Sequence, residues 1–164
     1  MSQGYLSRVD LSAAWMRRLF NLWPPFRAAG IRVAHIDPDF RRVTVELRAG
    51  LLNRNFVGSH FGGSMFAMAD PFYMIMMMKN LGRDYVVWDK SASIRFLKPG
   101  RGTLTARFEL TPAMVEEAVA RTAGGSRHEP TYRVEITDGR GLPVAAVEKT
   151  LYIRRADSYR PSLA

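Results

Sequence analysis

The sequence predicts an α+β protein in which a curved antiparallel sheet wraps around one long central helix, with a further helix near the N-terminus. Three observations carry this. Paired segments alternate apolar and polar residues, the pattern of antiparallel strands with one wet and one dry face. The stretch from Gly62 to Leu81 is apolar on every side, so as a helix it has to be covered all round. The elements run helix, two strands, long helix, two strands, short helix or loop, two strands, with no linker, composition break or repeat dividing residues 1–164. One open sheet covers only part of such a helix. A sheet curved around it, with a second copy of the chain completing the burial, is the simplest solution.

Each element has its own justification. "DLSAAWMRRLFNLW" reads as an amphipathic helix over about 10–23, with Leu11, Trp15, Leu19 and Leu22 in one stripe and Met16 and Phe20 nearby. Ser12 or Asp10 caps it, and Pro24 and Pro25 end it. "IRVAHID" and "RRVTVELR" form a hairpin across a Pro-Asp-Phe turn. The central helix spans about 62–81 and stops at Gly82. "DYVVWDKSASIRFLKPG" is a long strand, and "RGTLTARFELT" returns from a Pro-Gly turn as its hairpin partner. "PAMVEEAVARTAGG" is a short helix or helical loop. "TYRVEITD" and "PVAAVEKTLYIRR" flank "GRGL" as a last hairpin, and the polar tail, about 156–164, is loose.

Composition narrows the function. The chain has 164 residues, no cysteine and a net charge of +9. Disulfides and thiolate chemistry are excluded, a reducing, cytoplasmic setting is expected, and the first residues carry no secretory signal. The basic residues are scattered in ones and twos without a recognition helix or an aromatic–basic platform, so nucleic acid is not an expected partner. The apolar run is not expected to span a membrane, because Asp70 interrupts it. His35 and His128 have no neighbouring ligand cluster, so neither metal nor cofactor is expected.

Asp70 is the anomaly: a lone carboxylate within the apolar helix, followed at once by Pro71. The proline should kink the helix there and leave the carbonyl of Ala67 unpaired. Strict alternation along "WDKSASIRF" puts Trp88, Lys90, Ala92, Ile94 and Phe96 on the dry face, where Lys90 would neutralise Asp70 and weaken it as a base. Asp89 then falls on the opposite face, solvated or at a subunit interface.

Two blocks also resemble a known family. "NRNFVGSHFGGSMFAMAD" and "SASIRFLKPGRGTLTARFEL" are similar to hotdog-fold thioesterases of the phenylacetyl-CoA (PaaI-like) type. Phe61–Ser64, Ala69–Pro71 and Trp88–Ala92 are closer still to a hotdog branch with Phe-Gly-Gly-Ser, Ala-Asp-Pro and Trp-Asp-Lys-Ser-Ala elements. The resemblance implies a hotdog fold, self-association as a dimer or tetramer, and hydrolysis of acyl-CoA or acyl-carrier thioesters. The alternative is a non-catalytic hotdog that binds acyl-CoA or a fatty acyl ligand. By the same resemblance, amides at Gly62 and Gly63 hold the oxyanion and Asp70 is general base or nucleophile, with a purely structural Asp70 as the alternative. His60 polarises the carbonyl or is a loop residue; it stands one place early, since Phe61 occupies the family's His position. Asn53 and Asn55 hold water or thioester, or cap a turn. Ser64 and Lys90 complete the candidate substrate contacts. The methionines from Met65 to Met78 line an acyl tunnel or simply fill the core. Lys98, Arg101 and Arg107, or Arg154 and Arg155, are candidates to meet coenzyme A phosphates.

Overall fold

In the computed structural model, which describes residues 11–50 and 53–159, α1 (Ala13–Leu22) and α2 (Pro24–Ala29) precede the hairpin β1 (Ile31–Ile36) and β2 (Arg42–Leu47). Then come α3 (Gly62–Ala67), α4 (Phe72–Leu81), β3 (Tyr85–Phe96), β4 (Leu104–Glu109), α5 (Pro112–Thr122), β5 (Thr131–Thr137) and β6 (Pro143–Arg155). The six strands make one antiparallel sheet in the order β1-β2-β4-β5-β6-β3. The sheet curves around the α3–α4 segment, the hotdog architecture. Val45, Leu47, Leu104, Ala106, Phe108, Ile136, Val147, Leu151 and Ile153 form its buried face. Phe72, Tyr73, Met76 and Met77 of α4 are buried in the same core, while Met74 and Met78 are only partly covered. Among the described residues no helix is long and apolar enough to cross a membrane.

Several local expectations change. The β1–β2 and β5–β6 hairpins form, but β3 and β4 do not pair. β3 pairs with β6 and lies at the sheet edge, whereas β4 sits between β2 and β5. The intervening stretch 97–103 is too long for a tight hairpin. Its Leu97 and Lys98 amides donate to the carbonyl of Val144, holding the stretch against the start of β6. α1 turns a different side inward: Ala13 is buried and Met16 and Phe20 pack on the core, while Trp15, Leu19 and Leu22 are exposed. Asn21 sets that rotation. Its amide donates to the carbonyl of Val33 (3.0 Å) and accepts from the Val33 N–H (2.8 Å), clamping the helix to β1. Ser12 caps α1; Asp10, the other candidate, lies outside the described residues. The prolines that end α1 also open α2. Of the tail expected to be loose over about 156–164, residues 160–164 lie outside the described residues; before them Ala156 N–H donates to the Asp84 carbonyl, and the Tyr159 ring packs edge-on against Trp88.

Candidate active site

The predicted central helix is two helices with a break between them. Pro71 cannot donate, so the chain tightens before it: Ala69 N–H donates to Phe66 O (3.0 Å) and Asp70 N–H to Ala67 O (3.3 Å). The Ala67 carbonyl expected to be bare is therefore satisfied. The break turns the Asp70 side chain outward, where it is 56% exposed.

Asp70 is paired with Lys149 rather than with Lys90. Lys149 lies on the inner face of β6 in the row Val147, Lys149, Leu151, and is 1% exposed. Its Nζ donates to Asp70 Oδ1 (2.7 Å) and to the Asp70 backbone carbonyl, and stands 3.1 Å from Asp89 Oδ2. A buried ammonium is costly unless its charge and its protons are all met. Here two carboxylates from two different elements meet them.

Lys90 and Asp89 exchange their expected places because β3 carries a bulge. Asp89 pairs with Leu151 but Ser91 with Thr150, so Lys90 is the extra residue. One inserted residue reverses the facing of everything beyond it. Before the bulge Val87 and Asp89 face inward and Trp88 stacks outside on Tyr152, ring centroids 4.2 Å apart. Lys90 instead reaches Glu129 (2.5 Å), away from Asp70. Burial pushes the Asp89 carboxyl above the usual range; attraction to Lys149 opposes this and the charge of Asp70 adds to it. Asp89 Oδ1 is buried and finds no hydrogen-bond partner among the described residues.

The other sequence candidates build the loop that starts α3. Asn53 is buried; its amide donates to Ala29 O (2.9 Å) and Arg48 O (2.6 Å) and accepts from Gly50 N–H (2.7 Å). Asn55 Oδ1 accepts from the Val57 and Ser59 amides, and its Nδ2 donates to Ser59 Oγ (2.8 Å). His60 is 2% exposed, with its backbone N–H on Gly100 O (3.0 Å) and Nε2 donating to Gly102 O (2.6 Å). Ser64 is buried in the first turn of α3. Gly62 and Gly63 open α3, where the first amides have no intrahelical acceptor. A Cβ on Gly62 would come 2.8 Å from the Phe96 ring, and one on Gly63 would come 2.3 Å from the ring of Phe61, so a side chain at either place would require an exposed phenyl ring to move. The structure thus joins Asp70 to Lys149 and Asp89, and groups Asn53, Asn55 and His60 in one loop. Lys149 was legible as a lysine in an apolar every-second-residue row. The inward turn of Asp89 was not, since no sequence feature marks the bulge.

The model of a family described as a domain of unknown function (DUF4442) matches residues 12–153. None of the curated proteins matches. Among solved structures, a Pseudomonas aeruginosa protein described as of unknown function and a probable thioesterase is similar over 88% of this chain and 97% of its own, at 20% identity and TM-score 0.76. A thioesterase from Haemophilus influenzae is similar over 90% of this chain and 94% of its own, at 13% identity and TM-score 0.64. The E. coli PaaI protein of the phenylacetic acid degradation operon matches over 85% and 92%, at 21% identity and TM-score 0.59. These likenesses establish the hotdog fold.

Proposed function

The chain belongs to the DUF4442 family, and from that membership, the hotdog fold and the setting of Asp70 we propose that it hydrolyses acyl thioesters carried on coenzyme A or on an acyl carrier. The carrying observation is Asp70 itself: a carboxylate at a helix break, held on Oδ1 by a buried lysine, with Oδ2 in no hydrogen bond among the described residues and the side chain open to solvent. In this reading Oδ2 takes a proton from water as the water oxygen bonds to the thioester carbon. The oxyanion is met by the Gly62 and Gly63 amides. The carbon–sulfur bond then breaks, and the proton passes from Asp70 to the thiolate, leaving a carboxylic acid and a free thiol. Lys149 is a positioning residue that fixes Oδ1.

Self-association belongs to the same proposal. The free edge of β3 exposes Lys90–Ser93, with Phe96 and Leu97 each 51% exposed beside it, and α4 leaves Met74 and Met78 partly uncovered. Long edges of this kind invite pairing with another strand. A second copy laid on that edge gives a dimer, and two dimers a tetramer. A reducing, cytoplasmic setting agrees with the absence of cysteine.

A second reading is favoured by the Lys149 contact, which occupies part of the carboxylate: a non-catalytic hotdog that binds acyl-CoA or fatty acyl ligands. Thiol release from short, long and aromatic acyl-CoAs, measured for the wild type and Asp70→Asn, separates the two. Turnover that collapses in a folded, oligomeric Asp70→Asn supports hydrolysis with Asp70 as the acid. Equal rates remove Asp70 from the chemistry, and saturable binding without turnover favours the second reading.

A further inference from the structure

Behind the loop that delivers Gly62 lies a cavity of about 130 Å³, lined in part by Arg54, Ser59, His60, Gly100, Arg101 and Gly102. It belongs to none of the contacts around Asp70. An isolated bridge pairs Arg54 with His60, and residues paired across such a bridge project from the same side. No Asp or Glu lines the cavity, and neither arginine makes an ion pair among the described residues. The charged side chains here are both cationic. The carbonyls of Gly100 and Gly102 are already taken by the backbone N–H and Nε2 of His60. Ser59 Oγ accepts from Asn55 Nδ2, so its own proton is free to be given. What remains is two guanidinium forks and one hydroxyl proton.

We infer that this cavity is a subsite for a phosphoryl group, and that the group is the phosphate of the substrate's carrier; the choice of carrier rests on the thioester reading. Two cationic forks and a hydroxyl lining one cavity from two chain segments suit a tetrahedral oxyanion, which presents three or four acceptors in different directions. A carboxylate offers only two. The volume corresponds to about four waters, room for a five-atom phosphate. The loop containing Arg54, Ser59 and His60 runs straight into Gly62, so a carrier held here is tethered one loop from the helix amides.

The test is calorimetric titration of the full-length protein with inorganic phosphate, pantetheine, 4′-phosphopantetheine and coenzyme A, for the wild type, Arg54→Gln, Arg101→Gln and the double variant. Both arginines are exposed, and melting by circular dichroism checks that each variant is folded. Each replacement should weaken the phosphorylated probes about tenfold and leave pantetheine unchanged, with wild-type affinity for them falling as salt rises. Equal strength of phosphopantetheine and coenzyme A identifies the pantetheine phosphate as the group held; binding of coenzyme A alone identifies a nucleotide phosphate. Phosphate binding that depends on both arginines in a protein that releases no thiol from any thioester keeps the subsite and ends the thioesterase reading. Unchanged affinities in the double variant, or an equal loss for pantetheine, overturn the inference.

Discussion

Removing both carboxylates around Lys149 should cost far more than removing them one at a time. In Asp70→Asn the ammonium keeps Asp89 and the Asp70 backbone carbonyl. Asp70 is itself 56% exposed, so the expected loss is about 0–1 kcal/mol. In Asp89→Asn the ammonium keeps Asp70; the desolvation of Asp89 and its attraction to Lys149 oppose each other, so the change lies within about 1 kcal/mol of zero. The double variant leaves an ammonium that is 1% exposed with neutral acceptors only. An uncompensated buried charge costs about 3–5 kcal/mol, so the coupling between the sites should exceed roughly 1 kcal/mol. Urea unfolding at pH 7 and fixed protomer concentration, followed by tryptophan fluorescence, measures all four corners of the cycle. Adding Lys149→Met to the double variant should return most of the loss, because it removes the stranded cation and keeps the volume. Additivity within about 0.5 kcal/mol would refute the three-residue cluster as an electrostatic unit.

Three further outcomes follow from the geometry. Asp89 titrates above its unfolded value of 3.8 in the native state, so the native chain holds a proton there that the unfolded chain has lost. The stability difference between wild type and Asp89→Asn should fall as pH rises from about 3.8 through the native value, and a flat difference across pH 4–7 in parallel urea titrations contradicts the burial of that carboxyl. Asp138 behaves oppositely. The hydrogen bond from Lys98, then the Leu142 amide, lower it to about 2. Its contribution is present above 3.8 and lost as pH falls towards 2, so Asp138→Asn should be less stable than wild type at pH 7 and indistinguishable from it near pH 2 in acid unfolding followed by circular dichroism. Asn53→Ala removes a buried amide and leaves the carbonyls of Ala29 and Arg48 and the Gly50 N–H without it, at an expected cost of about 1–3 kcal/mol in the same urea assay; a loss under 0.5 kcal/mol would mean that water replaces the amide.

The sequence by itself determined what depends on neighbours along the chain. Alternation marked the strands, the apolar run from Gly62 marked the segment the sheet wraps, and turn residues placed two of the hairpins. Pro71 marked the interruption beside Asp70, because a missing N–H acts within one helical turn. Tertiary structure decided what depends on partners far away. α1 offers two apolar rows, and only the clamp of Asn21 on Val33 selects the row of Ala13, Met16 and Phe20. A Pro-Gly signal after β3 cannot say that β6 is the better partner, since strand pairing is settled across the whole sheet. The bulge at Lys90 turns Asp89 inward to share the ammonium of Lys149, a residue 60 positions further along the chain. Periodicity carries facing only while the count of residues between paired strands is unbroken. One extra residue reverses it, and the partner of Asp70 then follows from the fold.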